Sequence, residues 1–389
     1  MATRTKEGFV LSLASCFADV PHPGELIKEE MEARGWSQRD LAFILGVPEQ
    51  SVSPIMTGKR NVTPEMAKAL SAAFDVSADY FANLQKVYEM SIAKAPDPAV
   101  ERRARLQATY PIREMIKRGW LKDTDIELLE VQVMRFFRKN TLDEVPCLAH
   151  AAKKADYSET TPEQWAWLYR VNQIASEMVV GRYSAKKLQE AVSDFQRLTF
   201  DPEEIRHVPR ALAECGVRFV IVESLPKAKI DGVCFWLDDA SPVIGMTMRM
   251  DRIDNFWFVL RHEIEHLLCG HGKSQPVSPE FVDVDLQREE ADSEPQSAEE
   301  KQANEAAANF CVPAEQLESF FLRKYPYISE RDTLAFAKRI QRHPGIVVGQ
   351  LQRKMGRYDW LTRHKVKVRS FLQGSAIIDG WGESVPLSL

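Results

Sequence analysis

Phe256-Trp257-Phe258-Val259-Leu260-Arg261-His262-Glu263-Ile264-Glu265-His266-Leu267-Leu268-Cys269-Gly270 is the stretch on which the reading of this chain turns. It is an apolar segment with two histidines, His262 and His266, four residues apart. On an α-helix that spacing leaves the two side chains about 40° apart, so both imidazoles reach one cation. Glu263, one residue on, lies to the side of the pair, where it can take a proton from a water at the metal. Zinc is the expected ion. It favours imidazole and carboxylate donors in tetrahedral geometry and lowers the pKa of a bound water towards neutrality. A metal serving structure alone would have no use for Glu263.

Such a site needs a third protein ligand. His271 comes too soon, because the longer H-E-x-x-H-x-x-G-x-x-H pattern wants Gly at 269 and His at 272, and this chain has Cys269 and Gly272 there. Glu300 is the better candidate, in Glu300-Lys301-Gln302-Ala303-Asn304. Glu300 and Asn304 are again i and i+4 on an expected helix, so Glu300 can bind metal while Asn304 orients a ligand. Glu299 is the alternative.

Upstream of the H-E-x-x-H helix the pattern is that of strands. Val217–Val222, Gly232–Leu237 and Pro242–Met248 are β-branched and aromatic, with turns expected at Asp231-Gly232 and Asp238-Asp239. Residues 100–204 are helical in pattern; Thr161-Pro162 followed by apolar residues at helical spacing is a capped helix start. Trp165, Trp167 and Tyr169 on that helix read as core, since aromatic residues dominate helix packing by area.

Near the N-terminus, Ser37 caps a helix with Leu41, Ala42 and Leu45 on one face, and Gly46 ends it. Pro48–Gly58 supplies a second short helix, giving a helix-turn-helix. Gln38, Gln50, Ser51 and Ser53 stand where base edges would be read, and Lys59 and Arg60 follow as phosphate contacts. Two features weigh against tight DNA binding. Residues 1–90 carry nine bases against twelve acids, so counterion release is small. Pro54 sits inside the recognition helix, where it removes a backbone donor, so the helix is expected to start late or kink.

Through Ser37-Gln38, Leu41-Ala42, Leu45-Gly46-Val47 and Gly58-Lys59-Arg60, residues 22–88 resemble the Xre/Cro-type helix-turn-helix, and more closely the HigA-type antitoxins. The pair H-E-x-x-H and E-x-x-x-N, closed by Pro313, resembles the ImmA/IrrE metallopeptidases over 205–320. That resemblance implies a zinc endopeptidase in a regulatory role, typically cutting a repressor, with Glu263 as general base and His262, His266 and Glu300 as ligands of one zinc ion per chain. The chain departs from the family at Glu265 (usually Gly), Arg261 (often Ala) and Ala306 (usually aromatic). These departures put added charge near the metal.

The expected fold class is α+β and predominantly helical: a helix-turn-helix bundle, a helical middle region and a small-sheet, zincin-like domain. The expected division is an N-terminal extension (1–21), the helix-turn-helix domain (22–90), a linker (91–99), the helical middle (100–204), the metallopeptidase-like domain (205–322) and a basic C-terminal region (323–389). At 389 residues the chain is long enough for several domains. Net charge is −5, from 51 bases and 56 acids, which excludes a surface that is basic throughout; DNA contact must come from a local patch. Eight acids face one base between 281 and 300, and thirteen Lys/Arg face three acids between 323 and 369. The six cysteines show no CxxC pair, which fits reduced thiols in the cytoplasm. Leu13-Ala14-Ser15-Cys16 looks like a lipoprotein cleavage box, but the apolar part before it is short and Glu7 interrupts the positive region, so export is not expected.

The functional expectation is a zinc-dependent endopeptidase fused to a DNA-binding helix-turn-helix. It would hydrolyse a peptide bond in a repressor- or antitoxin-like partner and bind DNA at its own promoter, as a possible homodimer. The alternative is a DNA-binding antitoxin or transcriptional repressor whose metal domain is structural or sensory.

Overall fold

The computed structural model describes residues 20–142, 161–271, 273, 282–284 and 298–386. Cys16 with the possible cleavage box, Cys147, His150 and most of the acidic stretch lie outside the described residues. The chain divides into two compact units, Met1–Pro98 and Ala99–Leu389.

The first unit is a bundle of α1 (Pro23–Arg34), α2 (Gln38–Leu45), α3 (Glu49–Met56), α4 (Pro64–Phe74) and α5 (Ala78–Ile92). Ser37 and Asp40 form a reciprocal capping box at the start of α2, and Gly46, at φ 65°, ends that helix. Leu41 and Ala42 are buried, with Leu45 packed partly against them. Helices α1 and α3 also cross closely: a Cβ on Gly24 of α1 would fall 2.3 Å from the Ile55 carbonyl of α3. Pro54 stays inside α3. Its carbonyl accepts the N–H groups of Lys59 (2.8 Å) and Arg60 (3.0 Å), which fixes the loop that follows the helix.

The second unit begins with α6 (Pro98–Thr109), α7 (Ile112–Lys117), α8 (Ile126–Phe136), α9 (Pro162–Glu177), α10 (Ala185–Leu198) and α11 (Val208–Glu214). Three strands follow, β1 (Arg218–Val222), β2 (Ile230–Trp236) and β3 (Pro242–Met246), then α12 (Ile253–Cys269), β4 (Val282–Val284) and α13 (Ala298–Cys311). The chain closes with α14 (Ala314–Lys324), α15 (Glu330–Arg339), α16 (Pro344–Met355), α17 (Arg369–Leu372) and β5 (Ile377–Asp379). The sheet order is β4-β2-β3-β1-β5. β1 runs parallel to β3 and β5, and β2 runs antiparallel to β3 and β4.

Both faces of the sheet are covered, which suits strands with no polar face. Phe219, Ile221, Cys234, Ile244 and Met246 pack on the α12 side with Phe256, Trp257 and Leu260. Val220, Val222, Val233, Phe235 and Val243 pack on the opposite side with Trp165, Trp167 and Tyr169 of α9. Trp167 also donates its indole N–H to the Val222 carbonyl at 2.8 Å. Helices α6–α9 therefore form the layer on that side of the sheet, whereas α10 packs with Leu188 and Phe195 on the α12 side, although composition sets all of them apart from the strands.

Two sequence expectations need correcting. Asp231-Gly232 is not a turn but part of β2, and residues 223–229 make the connection from β1. The reason is the burial of Asp231, whose carboxylate is forked onto the Arg249 guanidinium through two hydrogen bonds of 3.1 Å. The basic C-terminal region, in turn, supplies a strand of the sheet, β5, and a helix, α16, packed on α12.

Candidate metal centre

α12 carries its apolar residues almost all round, as a helix covered by other elements must. His262, Glu263 and His266 are 0, 1 and 3% exposed, so three ionisable groups sit in that covered surface. α13 lies alongside, and Ala303 and Ala307, both fully buried, let the two helices approach.

His262 Nε2 lies 3.0 Å from His266 Nε2 and 3.3 Å from Glu300 Oε2. His266 Nε2 lies 3.3 Å from Glu300 Oε1. These three side chains form a group able to hold a metal ion among the described residues, with ligand atoms all within 4.8 Å of one another. Tetrahedral zinc with nitrogen and oxygen donors requires donor–donor edges of about 3.3 to 3.5 Å. The three edges here are close to that, and the donor chemistry suits the ion. The residues present fit zinc.

The outward ring nitrogens are engaged as well. His262 Nδ1 donates to Asn304 Oδ1 at 3.1 Å, the position from which the sequence expected Asn304 to orient a ligand. His266 Nδ1 meets His271 Nδ1 at 2.9 Å. Sequence reasoning dismissed His271 as a ligand and missed it as a neighbour. Glu299, the alternative third ligand, stands outside the group, 3.9 Å from His271 Nε2.

Glu263 is set against β2. A Cβ on Gly232 would fall 2.3 Å from Glu263 Oε1 and 2.7 Å from Val259 Cγ1, so only glycine leaves room there for the carboxylate. The family departures on α12 largely cancel each other. Arg261 pairs with Glu265 at 2.7 Å, and Gln302 of α13 donates to Glu265 at 3.2 Å. Burial works to raise the Glu265 carboxyl, but the hydrogen bond and charge of Arg261, with hydrogen bonds from Gln302 and Cys269, outweigh it and hold the group below its ordinary value.

In the helix-turn-helix unit, Gln38 is half-buried in the first turn of α2. On α3, Gln50 is exposed while Ser51 and Ser53 are half-buried. Lys59 and Arg60 are exposed in the loop beyond it. An ion pair at 3.3 Å, Arg39–Glu49, links the first turns of the two helices.

Comparison with known families places both regions. Residues 27–81 match the helix-turn-helix family, and residues 216–354 match the IrrE N-terminal-like domain. The chain joins a helix-turn-helix domain to an IrrE-like peptidase-family domain. All three grouped side chains and Glu263 fall within the IrrE-like match. An uncharacterized HTH-type transcriptional regulator of Escherichia coli K12, YddM, is 32% identical over 77 residues, 20% of this chain and 82% of that protein. Virulence-associated protein A' of Dichelobacter nodosus is 38% identical over 72 residues, 18% of this chain and 63% of that protein. Among solved structures, the Pseudomonas aeruginosa antitoxin HigA with the higBA promoter is 32% identical; the match covers 19% of this chain and 80% of that one, at a TM-score of 0.18. A HigA-family addiction module antidote protein from Coxiella burnetii is 27% identical, with 23% and 92% covered and a TM-score of 0.19.

Proposed function

We propose that the IrrE-like domain is a zinc-dependent endopeptidase that cuts a repressor- or antitoxin-like protein, and that the helix-turn-helix domain binds DNA at the chain's own promoter. The observation that carries the reading is the convergence of His262, His266 and Glu300 with Glu263 buried beside them. Zinc bound by those three side chains supplies a Lewis acid for the scissile carbonyl and lowers the pKa of water towards neutrality.

The chain's own residues do the rest. Asn304 and His271 hold the two imidazoles so that their Nε2 lone pairs face inward. Glu263 accepts the proton of the attacking water at a carboxylate oxygen and delivers it to the leaving amine nitrogen. The carboxylate occupies the space that a Cβ at Gly232 would take, which sets it against β2 beside the histidine pair. The work of the site is cytoplasmic in this reading, and no helix among the described residues is long and apolar enough to cross a membrane.

Glu263→Gln separates a peptidase from a repressor with a structural metal. The test compares new protein N-termini in cells expressing wild type or variant, alongside metal content. Termini that appear only with wild type, while the variant keeps its zinc, are expected; the cleavage rate should fall by about 10²- to 10⁴-fold. Identical sets of termini would favour the non-proteolytic alternative.

A further inference from the structure

The end of α12 builds a second contact to the candidate site that the H-E-x-x-H spacing does not contain. Had the helix continued, residue 271 would lie about 140° round from residue 266 and face away from it. The helix stops instead. Gly270 takes up φ 73°, and its N–H and that of His271 turn back onto the carbonyls of the last turn, with His271 N reaching His266 O at 2.9 Å. This turn lays the His271 ring against His266, centroids 5.1 Å apart. The sheet anchors the new position, because Trp236 of β2 donates its indole N–H to the His271 carbonyl at 3.2 Å.

Two ring nitrogens 2.9 Å apart hold one proton between them. His266 Nε2 faces His262 and Glu300, so with zinc held there its lone pair is committed to the metal and the proton between the two Nδ1 atoms belongs to His266. His271 then accepts at Nδ1 and carries its own proton on Nε2, which faces Glu299 Oε1 at 3.9 Å. We infer that His271 is a positioning residue that fixes the tautomer and ring orientation of His266, with Glu299 as its outer partner. The neighbouring acids thereby have different tasks: Glu300 turns in towards the imidazoles and Glu299 turns out towards His271. This inference rests on the proposed zinc reading.

The test uses the full chain and zinc alone, with affinity measured by competition against a chromophoric chelator and the ligand field read from the visible spectrum of the cobalt-substituted protein. His271→Leu and His271→Asn have nearly the same shape, and Asn alone keeps an acceptor near the Nδ1 position. The Leu variant should bind zinc about 10- to 100-fold more weakly than wild type with an altered cobalt spectrum. The Asn variant should recover most of the loss, and Glu299→Gln should fall between the Asn variant and wild type. Equal affinities for the Leu and Asn variants would overturn the inference, because packing rather than hydrogen bonding would then account for the position. Failure of wild type to bind zinc would overturn the proposed function and this inference together.

Discussion

Gly232 and Glu263 form a pair in which the smaller residue sets the place of the larger. A methyl group at 232 would fall 2.3 Å from Glu263 Oε1 and 2.7 Å from Val259 Cγ1, so both side chains would have to shift to admit it. Gly232→Ala should therefore displace the carboxylate and overpack the interface between β2 and α12. The expected outcome is a loss of about 1 to 3 kcal/mol in urea unfolding, together with impaired cleavage and retained zinc. A variant as stable and as active as wild type would show that Glu263 has room the structure does not indicate. At this scale the sequence was informative where chemistry obeys a helical period. His262 with His266, and Glu300 with Asn304, are i and i+4 pairs, and the structure brings all four together. His271 and Gly232 were not legible. The approach of His271 depends on a left-handed glycine beyond the helix end, and the value of Gly232 depends on a side chain 31 positions later.

Elements were legible where the chain writes their ends. Ser37 and Thr161, read as caps from the sequence, each accept a backbone N–H at a helix start. β4 and β5, at three residues each, are too short for alternation to show, and both form only through pairing with distant strands. Gly232 suggested a turn because glycine next to aspartate usually marks one; the ion pair of buried Asp231 with half-buried Arg249 overrides that preference. For the helix-turn-helix, the loop after α3 is the element that would meet the DNA backbone. Lys59 and Arg60 are both exposed there and held by the Pro54 carbonyl. Replacing both with Ala should weaken binding to promoter DNA at low salt and reduce the slope of log affinity against log salt by roughly 0.9 for each phosphate that is no longer neutralised. An unchanged slope would mean that the loop does not touch phosphate.

Composition suggested separate regions for 100–204, 205–322 and 323–389, whereas the molecule builds one unit from all three. The cause is long-range pairing that no local pattern can announce. Arg170 of α9 donates its Nε–H to Asp379 of β5 at 2.8 Å across 209 positions, and Trp120 donates its indole N–H to the other carboxylate oxygen at 2.8 Å. Arg170 also reaches the Val385 carbonyl at 2.7 Å. Asp379 is 1% exposed, so removing it would leave the Arg170 charge buried without its counter-ion. Asp379→Ala should cost about 3 to 5 kcal/mol in urea unfolding of the sheet domain. A loss below about 1 kcal/mol, the range of a surface pair, would mean that the C-terminal strand is not tied into the core in this way.

Everything proposed for catalysis depends on one metal being held by three side chains from two helices. The most direct measurement is elemental analysis of the purified chain beside His262→Ala and Glu300→Ala, each also checked for a folded core by its thermal unfolding. About one zinc per chain in wild type, absent from both variants while they remain folded, is the expected result. Wild-type protein that stays free of zinc after incubation with it, or a Glu300→Ala variant that keeps a full complement, would contradict the three-ligand site.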